Sequence, residues 1–164
     1  MGIPPNTSFA MSATGLDVFD KTLQTTNIWL NEVSAEVGPD RQIAWKVLST
    51  VLHKLRDRLP VDLAAHLGSQ LPLLVRGVYY DQYEPSKQPR DFGSREEFTK
   101  EVAEWLSDVR PIDPDSAITA VFGVLSHHLA EGQIEKVKGA LPKDLRSAWD
   151  RIEAQQRAGN HIGA

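Results

Sequence analysis

Residues 48–79 of this chain, moved forward by seventy positions, fall without a gap on residues 118–149. Val51 meets Val121, Leu55 meets Leu125, Leu59 meets Leu129, Leu71-Pro72 meets Leu141-Pro142, and Arg76 meets Arg146. Elsewhere apolar character is kept: Leu48 faces Ile118, Leu52 faces Phe122, Ala64 faces Ile134, Leu67 faces Val137, Val75 faces Leu145 and Tyr79 faces Trp149. Polar positions scatter instead, with Arg56, Asp57 and His66 facing Ser126, His127 and Lys136. What recurs is therefore the set of residues that pack, and the repeat constrains architecture far more than activity.

The apolar positions recur in steps of three, four and seven, the period of a helix buried on one face. Leu16, Phe19, Leu23, Leu30, Val33 and Val37 form one stripe, ended by Gly38-Pro39. Asp40 caps a second helix that presents Ile43, Ala44, Val47, Leu48, Val51, Leu52 and Leu55. Asp62 is read as the cap of a short helix, and Pro72 opens another. Residues 81–93 carry Pro85 and Pro89, mixed charge and no period, and read as a connection. Ser94 followed by Glu97 has the spacing of a capping box, and Trp105-Leu106 with Val109 echoes Trp29-Leu30 with Val33. Asp113-Pro114, Gly132 and Pro142 then mark the starts of three more helices. No segment alternates as a strand would.

The expected fold is all-α, a helical bundle of two internally duplicated multi-helix repeats sharing one core. A half of this size can offset its ordering entropy only marginally, so the halves should pack on each other. The expected boundaries are a tail at 1–15 and one domain at 16–158, with repeats at about 16–81 and 94–158. The linker is 82–93, and residues 159–164 are expected to fray. Met11 is an alternative start to Met1.

Net charge of −4 gives no basic field for a phosphate backbone, so no nucleic acid is expected as partner. The most apolar stretch, residues 71–80, is interrupted by Pro72, Arg76 and Gly77, so no membrane insertion is expected either. The absence of cysteine excludes disulfides, thiolate zinc sites and thiol nucleophiles, and a cytoplasmic setting is the default. No cofactor is expected. The N-terminus carries no targeting pattern.

No nucleophile elbow, phosphate loop or dinucleotide fingerprint is present. His53 and Asp57, and Asp62 and His66, are each four apart and make a candidate metal or acid–base set. His127 and His128 both have Glu131 within helical reach, but adjacent helical residues point about 100° apart, so at most one imidazole is expected at any site. Three tyrosines within five residues, Tyr79, Tyr80 and Tyr83, follow Arg76 into the connection. They form the candidate binding surface, for another protein or for self-association.

The segments Leu55-Arg56-Asp57-Arg58-Leu59-Pro60-Val61-Asp62, Ala64-Ala65-His66-Leu67, Gln70-Leu71-Pro72 and Arg76-Gly77-Val78-Tyr79-Tyr80 resemble the bacterial family catalogued as domain of unknown function 2267. The second pass, Leu141-Pro142-Lys143-Asp144-Leu145-Arg146 and Trp149, extends the resemblance over about residues 19–149. It implies a helical domain with no assigned activity and supplies no catalytic or metal-binding residue. The leading expectation is a non-enzymatic macromolecular interaction module. The alternative is a small-molecule or metal-binding protein, hydrolytic or not, with its site between the repeats.

Overall fold

Eight α-helices and one turn of 3-10 helix make up the described residues, 13–91 and 93–162, of the computed structural model, and no strand occurs among them. They are α1 (Asp17–Val37), α2 (Arg41–Arg56), α3 (Val61–Ser69), α4 (Leu73–Tyr80), α5 (Arg95–Trp105), α6 (Pro114–His128), α7 (Glu131–Gly139) and α8 (Lys143–Ile162). The 3-10 turn, Pro85–Lys87, lies in the connection between α4 and α5. Residues 1–12 of the expected tail, and with them the choice between Met1 and Met11, lie outside the described residues.

Helix starts follow local chemistry. Asp40 accepts hydrogen bonds from the amides of Gln42 and Ile43 at 2.9 and 3.3 Å, Ser94 from Glu97 at 3.3 Å, and Asp113 from Asp115 at 3.3 Å. Each satisfies donors that the first helical turn leaves open. Asp62 is a correction. The helix begins two residues earlier, at Val61 with Pro60 at the cap position, so Asp62 sits exposed in the first turn, where its charge suits the helix dipole. At the other end of α1, Gly38 takes φ 110° and donates its N–H to the Ser34 carbonyl at 2.8 Å, a backbone state that suits glycine.

Helices α2 and α6 pack on each other at the centre of the bundle. Around them α1 lies on α2 and α6, α5 lies on the same two helices, α4 packs on α2, α8 packs on α6, and α3 meets α7. One continuous apolar core runs through all of them, with Trp29, Tyr79, Phe98, Phe122 and Trp149 as its largest members. Phe122 and Trp149 stack with centroids 4.0 Å apart. Each fully buried large side chain contributes about 1.5–3 kcal/mol by leaving water. No described helix is long and apolar enough to cross a membrane.

Positions seventy apart make matching bonds. The Leu71 amide donates to Gly68 and the Leu141 amide to Lys138, at 3.2 and 3.0 Å. Arg76 and Arg146 donate to carbonyls at 68, 69 and 71 and at 138, 139 and 141.

The helices before and after the connection also differ. Helix α5 has 11 residues where α1 has 21, and α8 has 20 where α4 has 8. The echo of Trp29 in Trp105 is one of sequence only, since Trp29 is 2% exposed and Trp105 51%. Helical geometry in α8 continues to Ile162, past the boundary expected at 158. Along the first turns of α1 the buried residues are Thr22 and Thr26, while Leu16, Phe19 and Leu23 of the anticipated stripe face outward.

Candidate functional site

Helix α6 ends at His128, and the amide of Leu129 closes its last turn on the Leu125 carbonyl at 2.9 Å. Its final two side chains, His127 and His128, meet one carboxylate, that of Glu32 on α1. His127 Nδ1 stands 2.5 Å from Glu32 Oε1, and His128 Nε2 pairs with Oε2 of the same group. Since α1 packs along α6 through Trp29, Leu30 and Val33, Glu32 is delivered there by a rigid contact between helices.

This corrects the expectation that only one of two adjacent histidines can serve a site. The Cβ atoms do diverge, but His127 uses the nitrogen near its backbone and His128 the far one. The rings come to 4.3 Å of each other, and their common partner is Glu32, where the sequence had suggested Glu131. The His128 ring also stacks on buried Trp29 at 5.3 Å and 21°, which limits its rotation.

The three donor atoms lie within 4.8 Å of one another, and Glu32, His127 and His128 are the group of that kind found among the described residues. Two imidazole nitrogens and one carboxylate oxygen form a donor set of intermediate softness, suited to zinc and its neighbours in the first transition row. Glu32 and His127 border a groove of about 940 Å³. Five carboxylates and two cationic side chains line it, a balance that raises local cation concentration. On its far wall Lys138 bonds Glu135 at 3.2 Å, Asp150 at 2.5 Å and Glu153 at 2.6 Å. Burial alone would lower the Lys138 pKa, but these three carboxylates outweigh it and hold it above its ordinary value.

The four residues expected as a metal set do not converge. His53 Nε2 donates to the Val78 carbonyl at 2.5 Å, and burial pushes the imidazole below its ordinary pKa more than that bond raises it. Asp57 accepts from Arg56 Nε at 2.9 Å, while Asp62 and His66 lie exposed on α3.

Of the four surface residues, Tyr79 is buried with its hydroxyl donating to the Ala64 carbonyl at 2.6 Å. Tyr80 donates to Ala65 at 3.2 Å, and Tyr83 lies under the Arg56 guanidinium at 5.0 Å. Arg76 closes the end of α3. Tyr80 and Tyr83 are half-buried against the core. Glu32 carried no signal of its own in the sequence, because nothing in the spacing of one helix reports which distant helix it will meet.

A sequence model of the DUF2267 family, described as an uncharacterized conserved protein, matches residues 26–148. The chain belongs to that family. No curated protein matches it.

Proposed function

We propose that this member of the DUF2267 family is a metal-binding protein, not an enzyme, which takes a divalent transition-metal ion on Glu32, His127 Nδ1 and His128 Nε2. The observation that carries the reading is the meeting of two imidazoles and one carboxylate from two helices at the edge of an acidic groove. Three protein donors leave a coordination position for water or a small ligand on the groove side. Zinc, nickel and copper are favoured over manganese or magnesium by this donor set. A cytoplasmic location fits the cysteine-free composition.

Titration of chelator-treated protein with zinc chloride against a chromophoric competitor tests it. The expected result is one equivalent bound by the natural chain and by His53→Ala, and loss of that equivalent in Glu32→Ala and His127→Ala. Binding that survives Glu32→Ala contradicts the assignment.

The same placement suits a chain built by duplication, with repeats at about 16–81 and 94–158, because Glu32 then belongs to one repeat and the histidines to the other. Supporting the duplication are the matched bonds of Arg76 and Arg146. The helix contacts agree with it: α1 lies on α6 as α5 lies on α2, α4 on α2 as α8 on α6, and α3 on α7.

A second reading, the interaction module, is favoured by exposed apolar side chains at the start of α1. Leu16, Phe19 and Leu23 lie beside exposed Leu73 and Leu74, where the Leu74 amide donates to Thr22 Oγ1 at 3.2 Å. The occupant in this reading is a second copy of the chain. Sedimentation velocity should then show a dimer that Phe19→Glu dissociates. A monomer at every concentration contradicts it.

A further inference from the structure

A second cavity, remote in sequence from the histidine pair, lies between α2, the end of α5 and the connection after α4. Its volume is about 530 Å³, and its walls include the cations Lys54, Arg56 and Arg90, the carboxylates Asp57 and Glu84, and Trp105. Lys54 is the unusual member. The residue is 6% exposed, yet its ammonium stands 4.3 Å from the centroid of the Trp105 ring. No carboxylate of the described residues lies within ion-pairing distance of it.

The acids nearby are engaged by other cations. Asp57 accepts from Arg56 at 2.9 Å, Glu101 pairs with Arg58 at 2.5 Å and Arg90 at 3.6 Å, and Glu84 pairs with Lys87 at 2.9 Å. Lys54 is therefore a nearly buried cation held against the Trp105 ring, with no carboxylate paired to it among the described residues. Such a charge gives up hydration for a cation–π contact alone, a cost that an incoming anion lowers. Burial pushes the Lys54 ammonium below its ordinary pKa, and the more distant charges of Glu101 and Asp57 offset this in part.

Trp105 points the same way. Its period on α5 would take it into the core with Phe98, Val102 and Leu106, yet half of it is exposed. An indole held at the rim of this cavity, with Lys54 against its ring, offers a flat apolar surface whose water contact a ligand's skeleton would reduce.

We propose that this cavity binds a small organic carboxylate with a flat apolar body, its charge taken by Lys54 and Arg90 and its body laid along Trp105. The site is independent of the metal reading, since it shares no residue with Glu32, His127 or His128.

The probe is sodium benzoate, followed in the full chain by calorimetry and by the side-chain carbon resonances of Lys54, with inorganic phosphate and benzylamine alongside. Benzoate should saturate, shift the Lys54 resonances and raise the pH at which they titrate. Lys54→Met, whose unbranched chain can still lie on the indole, should weaken binding by at least roughly tenfold, as for loss of a charged hydrogen bond. Trp105→Leu should weaken benzoate and leave phosphate unchanged. Absence of benzoate binding, equal binding of benzylamine, or full affinity in Lys54→Met overturns the proposal. The resonance shift is read in the natural chain, so it decides the question even where a variant folds poorly. Because Glu32→Ala should leave benzoate binding intact, failure at this site is distinguishable from failure of the metal site.

Discussion

Arg76 and Arg146 close two different helices with the same three bonds. Arg76 reaches the carbonyls of Gly68, Ser69 and Leu71, each at 3.1 Å, and Arg146 those of Lys138, Gly139 and Leu141, at 3.1, 3.4 and 3.3 Å. At each of these two helix ends one guanidinium thus adds charged hydrogen bonds to the last carbonyls, beside the amide bonds that the Gly68 and Lys138 carbonyls already accept.

Replacing either arginine by methionine keeps the stem and removes these bonds. Arg76→Met and Arg146→Met should each lower stability by about 1–3 kcal/mol. Urea denaturation measures it, and a large effect in one with none in the other would mean that the two bonds are alike in geometry only.

Gly68 and Tyr80 should be equally sensitive. A Cβ added at 68 would stand 2.7 Å from Tyr80 Cζ, so Gly68→Ala must displace the ring or the helix, at a cost of about 1–3 kcal/mol. At Gly132 a Cβ meets nothing within 4 Å, and Gly132→Ala should stabilise by up to about 1 kcal/mol. Thermal melts of the two variants should move in opposite directions. Seventy residues on, Lys138 and Asp150 stand where Gly68 and Tyr80 do, and an ion pair at 2.5 Å replaces the ring contact.

Acid should destabilise the fold in two stages. His53 titrates below its ordinary value in the folded chain, so as pH falls through about 6.5 the unfolded chain takes up the proton first. Its stabilisation is complete above that pH and is lost on the way down to the folded pKa. For Glu101 burial alone would raise the pKa, but the hydrogen bond and charge of Arg58, with Arg90 and Lys54 beyond, hold it below the ordinary range. Its share is lost below about pH 4.3 by the same sign. Melting temperature should fall at each stage, and His53→Gln should remove the first alone.

Much of the helical plan was legible in the sequence. Asp40, Ser94 and Asp113 announce their helices through short-range hydrogen bonds that neighbours in sequence supply, and stripes such as Val47, Val51 and Leu55 follow from the period of one helix. The misses are tertiary. Whether Trp105 or Trp29 is covered depends on which helix arrives opposite, and α1 leaves Phe19 and Leu23 outward because Thr22 is the residue that meets α4. The candidate site was hidden for the same reason. His127 and His128 could be noticed locally, but Glu32 comes from ninety-five positions away.

Zinc should raise the melting temperature of the natural chain, because an ion that binds the folded state alone stabilises it by mass action. Glu32→Ala and His128→Ala should melt at the same temperature with and without zinc, whereas His66→Ala should keep the full shift.

X-ray absorption at the zinc edge, on protein loaded with one equivalent, examines the donor set itself. The arrangement of Glu32, His127 and His128 predicts a first shell of nitrogen and oxygen at about 2.0–2.2 Å with outer-shell scattering from two imidazoles. A shell of oxygen alone, with no imidazole signature, would contradict it.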